Sequence, residues 1–207
     1  MKTSLRVLVL MGGPSEEHEV SLKSGRGAAQ ALAQRGIAAE PVLIPRTVSI
    51  DEACAVVSDA IQRLEPDVVF IALHGTFGED GAIQQVCESL HVAYTGSDTS
   101  ASRLGMDKIA SRQRFIDAGL EVPRWRALPP TRLVGGRVVD PARIDHAVLK
   151  GLRYPLVVKP SAQGSSIGVS LVARPSEFSA AVREAARHGS QVLAEEFVRV
   201  ARPLNGG

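Results

Sequence analysis

Along most of the chain, short apolar runs alternate with longer segments in which apolar residues recur every three or four positions. A continuous apolar run of four to six residues fits a strand buried on both faces, and a 3.6-residue recurrence fits an amphipathic helix. Val7-Leu8-Val9-Leu10 reads as the first strand, ended by Gly12-Gly13-Pro14. Ser15 is expected to cap a helix carrying Glu16 and Glu17 in its first turn, where the helix dipole favours carboxylates. Leu22, Ala29, Leu32 and Ala33 continue its apolar face. Pro41 to Ile44 is a second strand, followed by a helix from about Asp51 with Val56, Val57, Ala60, Ile61 and Leu64 on one side. Val68 to Leu73 is a third strand, the loop HGTFGEDG (74–81) follows it, and a helix runs to Leu90. Val92-Ala93-Tyr94 is a short fourth strand, stopped by Thr95-Gly96-Ser97. This alternation predicts an α/β domain over 1–97, a doubly wound parallel sheet.

From residue 98 to 207 the pattern changes. Asp107 can cap a helix to about Ala118, with Gly119 at its C′ position. Pro123, Pro129, Pro130 and Gly135-Gly136 make the next stretch rich in loops. Tyr154 to Pro160 is a strand with Lys159 near its end, SAQGSSIG (161–168) is a loop of small residues, and Val169 to Val172 returns as a strand. Ser176 is expected to cap a helix with Phe178, Ala181, Val182 and Ala185 on one face, and Gln191 to Val198 is a last strand. Strand, glycine loop, strand, helix, strand predicts a small α+β lobe rather than further winding.

Composition narrows the function classes. The 207 residues are 44% hydrophobic and 22% charged, enough for a packed core and too apolar for a disordered chain. With 24 basic and 22 acidic residues, net +2, there is no electrostatic ground for nucleic acid or an anionic membrane as partner. No run of 18 apolar residues occurs, so no membrane span is expected. The run Val7–Met11 is too short for a signal-peptide core and lacks a small-x-small cleavage site. Cys54 and Cys87, 33 residues apart, exclude a disulfide scaffold and a CxxC zinc site. A cytoplasmic location is expected.

Several residues stand where chemistry is commonly placed. Gly12-Gly13 after strand one gives a tight turn and leaves backbone amides at the carboxyl end of the sheet, where open α/β sheets bind ligands. Neither a full G-x-G-x-x-G nor a Walker motif is present. Glu17 reads either as a solvated dipole-compensating carboxylate or as a grip on a substrate ammonium. His74 ends strand three and opens a loop in which Gly75, Gly78 and Gly81 permit close approach. Lys159, beside Gly164-Ser165-Ser166, joins a point charge to small-residue donors, a combination suited to polyphosphate. Its other reading is a strand-end lysine snorkelling to water. Lys108 opens a helix, where a cation opposes the dipole and a bound anion would remove the conflict. Of Glu195 and Glu196 in their apolar strand, one can face solvent and the other then needs a partner. His91, His146 and His188 carry no role.

The set GGPSEEHEVSLKSG (12–25), ALHGTFGEDG (72–81), YTGSDTSASRLGMDK (94–108), PLVVKPSAQGSSIGV (155–169) and VLAEEFV (192–198), in this order, resembles the D-alanine:D-alanine ligase family of the ATP-grasp superfamily. The resemblance covers roughly 1–198. It implies an N-terminal D-alanine ligase domain over 1–97, Rossmann-like and preceding the ATP-grasp fold, and the first lobe of an ATP-grasp domain over 98–207. It implies ATP-dependent joining of two D-alanines through an acyl phosphate, for peptidoglycan synthesis, with ATP and Mg2+ (or Mn2+) and a homodimer as the family's partners. By resemblance, Glu17 holds the first D-alanine's amino group and His74 lies beside the forming acyl phosphate. Lys108 and Lys159 hold ATP phosphates. Gly164, Ser165 and Ser166 form the loop over them, with Ser165 linked to the Glu17 side. Glu195, Glu196 and Val198 form the strand that receives adenine.

After Val198 the family continues through an omega loop and a further lobe that supplies the metal ligands and a late arginine, whereas this sequence reads RVARPLNGG. On this reading the 207 residues are an incomplete portion with no metal ligand and no ligation of their own. The strand 191–198 is then expected to present a bare edge, with a loose tail beyond it. The alternatives are a D-alanine:D-lactate ligase, whose distinguishing residue would lie in the omega loop, and a non-catalytic ligand-binding fragment.

Overall fold

Strand β1 (Arg6–Gly12) is apolar on both faces because both faces are covered. Val7 and Val9 pack with Ala28, Ala29 and Leu32 of helix α1 (His18–Gln34), whereas Leu8 and Leu10 pack with Ala53 and Val57 of α2 (Ile50–Leu64) and Ile83 of α3 (Ala82–Ser89). Each such fully buried Val or Leu contributes about 1.5–3 kcal/mol. In this computed structural model, residues 5–128, 133–134, 137–138, 146–164, 166–189 and 191–198 are described. The sheet is completed by β2 (Ala38–Ile44), β3 (Val68–Ile71) and β4 (Ala93–Tyr94), in the order β2-β1-β3-β4 with every pairing parallel. Helices on both faces of a parallel sheet are the doubly wound arrangement that the pattern predicted.

The chain divides into two compact units, Met1–Met106 and Asp107–Gly207, later than the expected 97/98 boundary. The cause is helix α4 (Thr99–Met106), tied to the first unit. The carboxylate of Glu88 accepts the Thr99 amide at 2.9 Å and the Tyr94 hydroxyl at 2.7 Å, and Arg103 bonds Gln85.

In the second unit, helix α5 (Lys108–Asp117) precedes β5 (Trp125–Ala127), a small hairpin of β6 (Leu133–Val134) and β7 (Arg137–Val138), then β8 (Leu156–Pro160), β9 (Ser170–Val172), α6 (Phe178–Arg187) and β10 (Val192–Glu196). The main sheet has the order β5-β10-β8-β9, antiparallel throughout. Leu156 and Val158 of β8, with Val192 and Ala194 of β10, pack on Phe178, Val182 and Ala185 of α6. By the two-residue period of a strand, Lys159, Leu193 and Glu195 take the opposite face.

Three expectations need correction. Strand β10 is not a bare edge: it lies between β5 and β8, and the edges are three-residue strands, too short to template much pairing. Ser15 does not cap α1, which starts at His18 with Glu17 at the N-cap position; the serine oxygen accepts the Glu17 amide, one residue before the helix, while its hydroxyl donates to the His74 carbonyl. Ser176 sits in a 3-10 turn, Pro175–Glu177, and α6 starts at Phe178. The expected loose tail, from residue 199 on, lies outside the described residues.

Candidate functional site

At the carboxyl end of β1 the chain turns through Gly12 and Gly13, both at positive φ (89° and 88°). The Gly13 amide donates to the Ile44 carbonyl at 2.8 Å, and its own carbonyl bonds the buried His18 Nδ1 at 2.7 Å. Ser21, fully buried in α1, accepts the Gly12 amide at 2.8 Å and donates to the Ala72 carbonyl at 2.7 Å, tying helix to both strand ends. Ser15 Oγ donates to the His74 carbonyl at 2.7 Å and accepts the Glu17 amide at 3.1 Å. The turn after β1 is thereby clamped to the turn after β3.

These clamps bring Glu17 and His74 into one corner. A Cβ on Gly75, which has φ +67°, would lie 2.5 Å from Glu17 Oε2, so the carboxylate rests on the bare backbone next to His74. His74 Nε2 bonds Ser24 Oγ at 3.0 Å, and its Nδ1 lies 3.6 Å from Glu79 Oε1. The loop after His74 is held by its own acids: Glu79 accepts the Gly75 amide at 3.0 Å, and Asp80 accepts those of Phe77 at 2.9 Å and Ala82 at 3.1 Å. A cavity of about 500 Å3 adjoins His74, lined by Leu73, Glu79, Thr95 and Met106 among others.

The second unit carries the two candidate lysines, Lys108 and Lys159. Lys159 and Glu195 share the sheet face away from α6, and their side chains, 17% and 9% exposed, form an ion pair through Glu195 Oε1. Arg112 of α5, 13% exposed, pairs with Glu195 Oε2 and donates from Nη1 to the Lys108 carbonyl at 3.0 Å. Lys108 Nζ is held by the carbonyls of Ser161, at 3.3 Å, and Gln163. Burial, and then the neighbouring charges of Lys159 and Arg112, push the Lys108 ammonium below its ordinary pKa. One carboxylate thus faces three cations, an arrangement that favours an anionic ligand. Glu196 points elsewhere, accepting the Arg153 amide at 2.9 Å, and Val198 is exposed. Gly164 and Ser166 belong to a tight loop closed by Ile167 N–H to Gly164 at 3.1 Å and Val169 N–H to Ser166 at 3.3 Å; Ser165 lies outside the described residues.

Asp107 anchors this corner by accepting Ser161 Oγ at 2.6 Å and the Ile109 amide at 2.9 Å. Burial works to raise its carboxyl, but the hydrogen bonds from Ser161, Ala110 and Ile109 outweigh it and hold it below the usual range. The folded state therefore takes up that proton at lower pH than the unfolded chain, whose Asp titrates near pH ~3.9. The stabilisation is complete above that pH and is lost as pH falls through the folded value. Asp107→Asn is expected to flatten the acid limb of the stability profile below about pH 4, as read by urea midpoints across pH; an unchanged limb would remove this role.

Sequence reasoning missed Arg112, Ser21 and Ser24. Arg112 could have been found: it lies one helical turn after Lys108, on the same face. The two serines gave no signal, because a hydroxyl that bonds a distant strand is indistinguishable in sequence from a solvated one.

Two family models match the chain: "D-ala D-ala ligase N-terminus" over residues 49–97 and "D-ala D-ala ligase C-terminus" over 115–204. The D-alanine--D-alanine ligase of Geotalea uraniireducens is 42% identical over 196 residues, taking in 94% of this chain and 56% of its own length. The crystal structure of D-alanine--D-alanine ligase from Bacillus anthracis superposes with a TM-score of 0.75 at 31% identity, over 95% of this chain and 58% of that one. The same enzyme complexed with ATP gives a TM-score of 0.75 at 28% identity, over 96% and 58%. The chain spans little more than half the length of these relatives.

Proposed function

As the chain belongs to the D-alanine–D-alanine ligase family, we propose that it serves the ATP-dependent joining of two D-alanines for peptidoglycan synthesis, its first unit gripping amino acid and its second the nucleotide. In that reaction the γ-phosphoryl group of ATP passes to the carboxylate of the first D-alanine, giving an acyl phosphate and ADP. The amine of the second D-alanine then attacks the activated carbonyl and expels phosphate. The protein's part is positioning and charge compensation.

Glu17 offers its carboxylate to the ammonium of the first D-alanine, with the bare backbone of Gly75 leaving room for it. His74, oriented by Ser24 and Glu79, stands beside the carboxyl group that becomes phosphorylated. Lys108 and Lys159 meet the nucleotide phosphates, the loop of Gly164 and Ser166 closes over them, and the end of β10 at Glu195 and Glu196, with Val198 just beyond it, receives adenine. The named relatives act on D-alanine, which supports D-alanine rather than D-lactate as second substrate. ATP as substrate goes with a cytoplasmic location; among the described residues no helix is long and apolar enough to cross a membrane. The magnesium that the family implies does not fit the residues present. No group of three metal-ligating side chains occurs among those described, and Asp107 and Glu195 are committed to hydroxyl, amides and cations.

The observation that carries the reading is the packing of Glu17 against Gly75, beside His74. Glu17→Gln keeps the shape and removes the charge, so it is expected to weaken D-alanine binding about 10–100-fold, the worth of one charge-assisted contact. ATP affinity should be unchanged. Titration calorimetry with each ligand tests this, and equal weakening of both would overturn the assignment.

A further inference from the structure

The Glu195 carboxylate has two cationic partners, one on each oxygen: Lys159 on Oε1 and Arg112 on Oε2. This poses a problem for any anion that recruits Lys159. A phosphate oxygen drawing the ammonium away would leave a carboxylate only 9% exposed beside a second negative charge. Were Lys159 the only cation on Glu195, its loss would leave a buried carboxylate uncompensated, and that cost would weaken ligand binding.

Arg112 removes that cost. Its guanidinium is 13% exposed and fixed by Nη1 on the Lys108 carbonyl at 3.0 Å, one helical turn back in α5. Its Nε is buried without a hydrogen-bond partner among the described residues, so the group is held by its two Nη donors alone. Lysine, a flexible point charge, suits the partner that moves; arginine, a planar fork with a fixed geometry, suits the partner that stays. We propose that Arg112 is a positioning residue: it holds and neutralises Glu195 so that Lys159 can leave that carboxylate for an anionic ligand. This rests on the reading of Lys159 as a phosphate-binding residue.

Two measurements test it, one independent of nucleotide. Trace acetylation of Lys159 with acetic anhydride, mapped by mass spectrometry, reads how firmly Glu195 retains the amine. Arg112→Met should slow acetylation about fivefold, because Glu195 then has Lys159 alone, and Arg112→Lys should restore it to within about twofold. In a Glu195→Gln background the Arg112→Met change should have less than about a twofold effect. Loss of a merely structural arginine would loosen the cluster and speed acetylation instead. Affinity for ATP should fall about 10-fold in Arg112→Met and by less than about threefold when Glu195→Gln is already present. Acetylation that is unchanged or faster in Arg112→Met overturns the proposal whether or not nucleotide binds. Slowed acetylation in Arg112→Met, together with a wild-type chain that binds no ATP, supports the handover and removes the nucleotide reading. Should Arg112→Met fail to fold by far-UV circular dichroism, Arg112→Gln carries both measurements.

Discussion

Lys159→Ala is expected to weaken ATP binding about 10–100-fold, the equivalent of roughly 1.5–3 kcal/mol for one charge-assisted contact in a partly desolvated site. The size follows from burial. A surface lysine facing a phosphate contributes little, because water and salt screen it. Lys159 is only 17% exposed and lies on a sheet face that also carries Glu195. The variant should nevertheless fold, since Arg112 continues to compensate Glu195. Arg174→Ala is the control: that arginine is 76% exposed, pairs with Glu177, and should leave ATP affinity as it was. Equal affinity in wild type and Lys159→Ala, by calorimetry with ATP, would sink the phosphate assignment.

The sheet that carries Lys159 was legible as a strand, but its partner was legible only as a requirement. Alternation along β10 dictates that one of Glu195 and Glu196 turns inward; which cation it meets depends on how α5 lies on the sheet, and no local pattern encodes that. In the parallel sheet β1 and β3 were legible as unbroken apolar runs, whereas β2 starts at Ala38, three residues before the expected Pro41, because its first half, Ala-Ala-Glu at the sheet edge, is not an apolar run. Helix starts were less legible. Ser15 has the right chemistry for a cap, and its oxygen does accept the Glu17 amide at 3.1 Å while its hydroxyl donates to the His74 carbonyl, 59 residues away, at 2.7 Å; the helix nevertheless begins only at His18. The serine serves the turn that joins the two candidate-site loops, and that turn takes up the residues which the local pattern assigns to the helix. The expectation of a bare strand at 191–198 failed for a related reason. The partner on its far side, β5, is a three-residue strand, too short and too mixed to be read from sequence.

Gly12→Ala should be among the most damaging single changes to the first unit, at about 2–5 kcal/mol. Two costs add. At φ +89° an L side chain is strained, by about 1–2 kcal/mol. A Cβ there would also lie 2.4 Å from the Ile44 carbonyl oxygen, 3.0 Å from the His18 ring and 3.1 Å from Leu43. The carbonyl cannot step aside freely, because Gly12 is in register with Ile44 in the β1–β2 ladder and the Gly13 amide bonds that same oxygen at 2.8 Å. Overpacking of this kind costs about 1–3 kcal/mol more. The damage should reach the site, since the Gly12 amide bonds Ser21 and the Gly13 carbonyl bonds His18, the contacts that set the start of α1 and thus Glu17. Urea unfolding followed by far-UV circular dichroism should show the loss. Trp125, the single tryptophan, lies in the second unit and reads that unit by fluorescence. A circular-dichroism midpoint that does not move would show that the turn tolerates a side chain, and a Trp125 midpoint that falls equally far would place the damage beyond the turn.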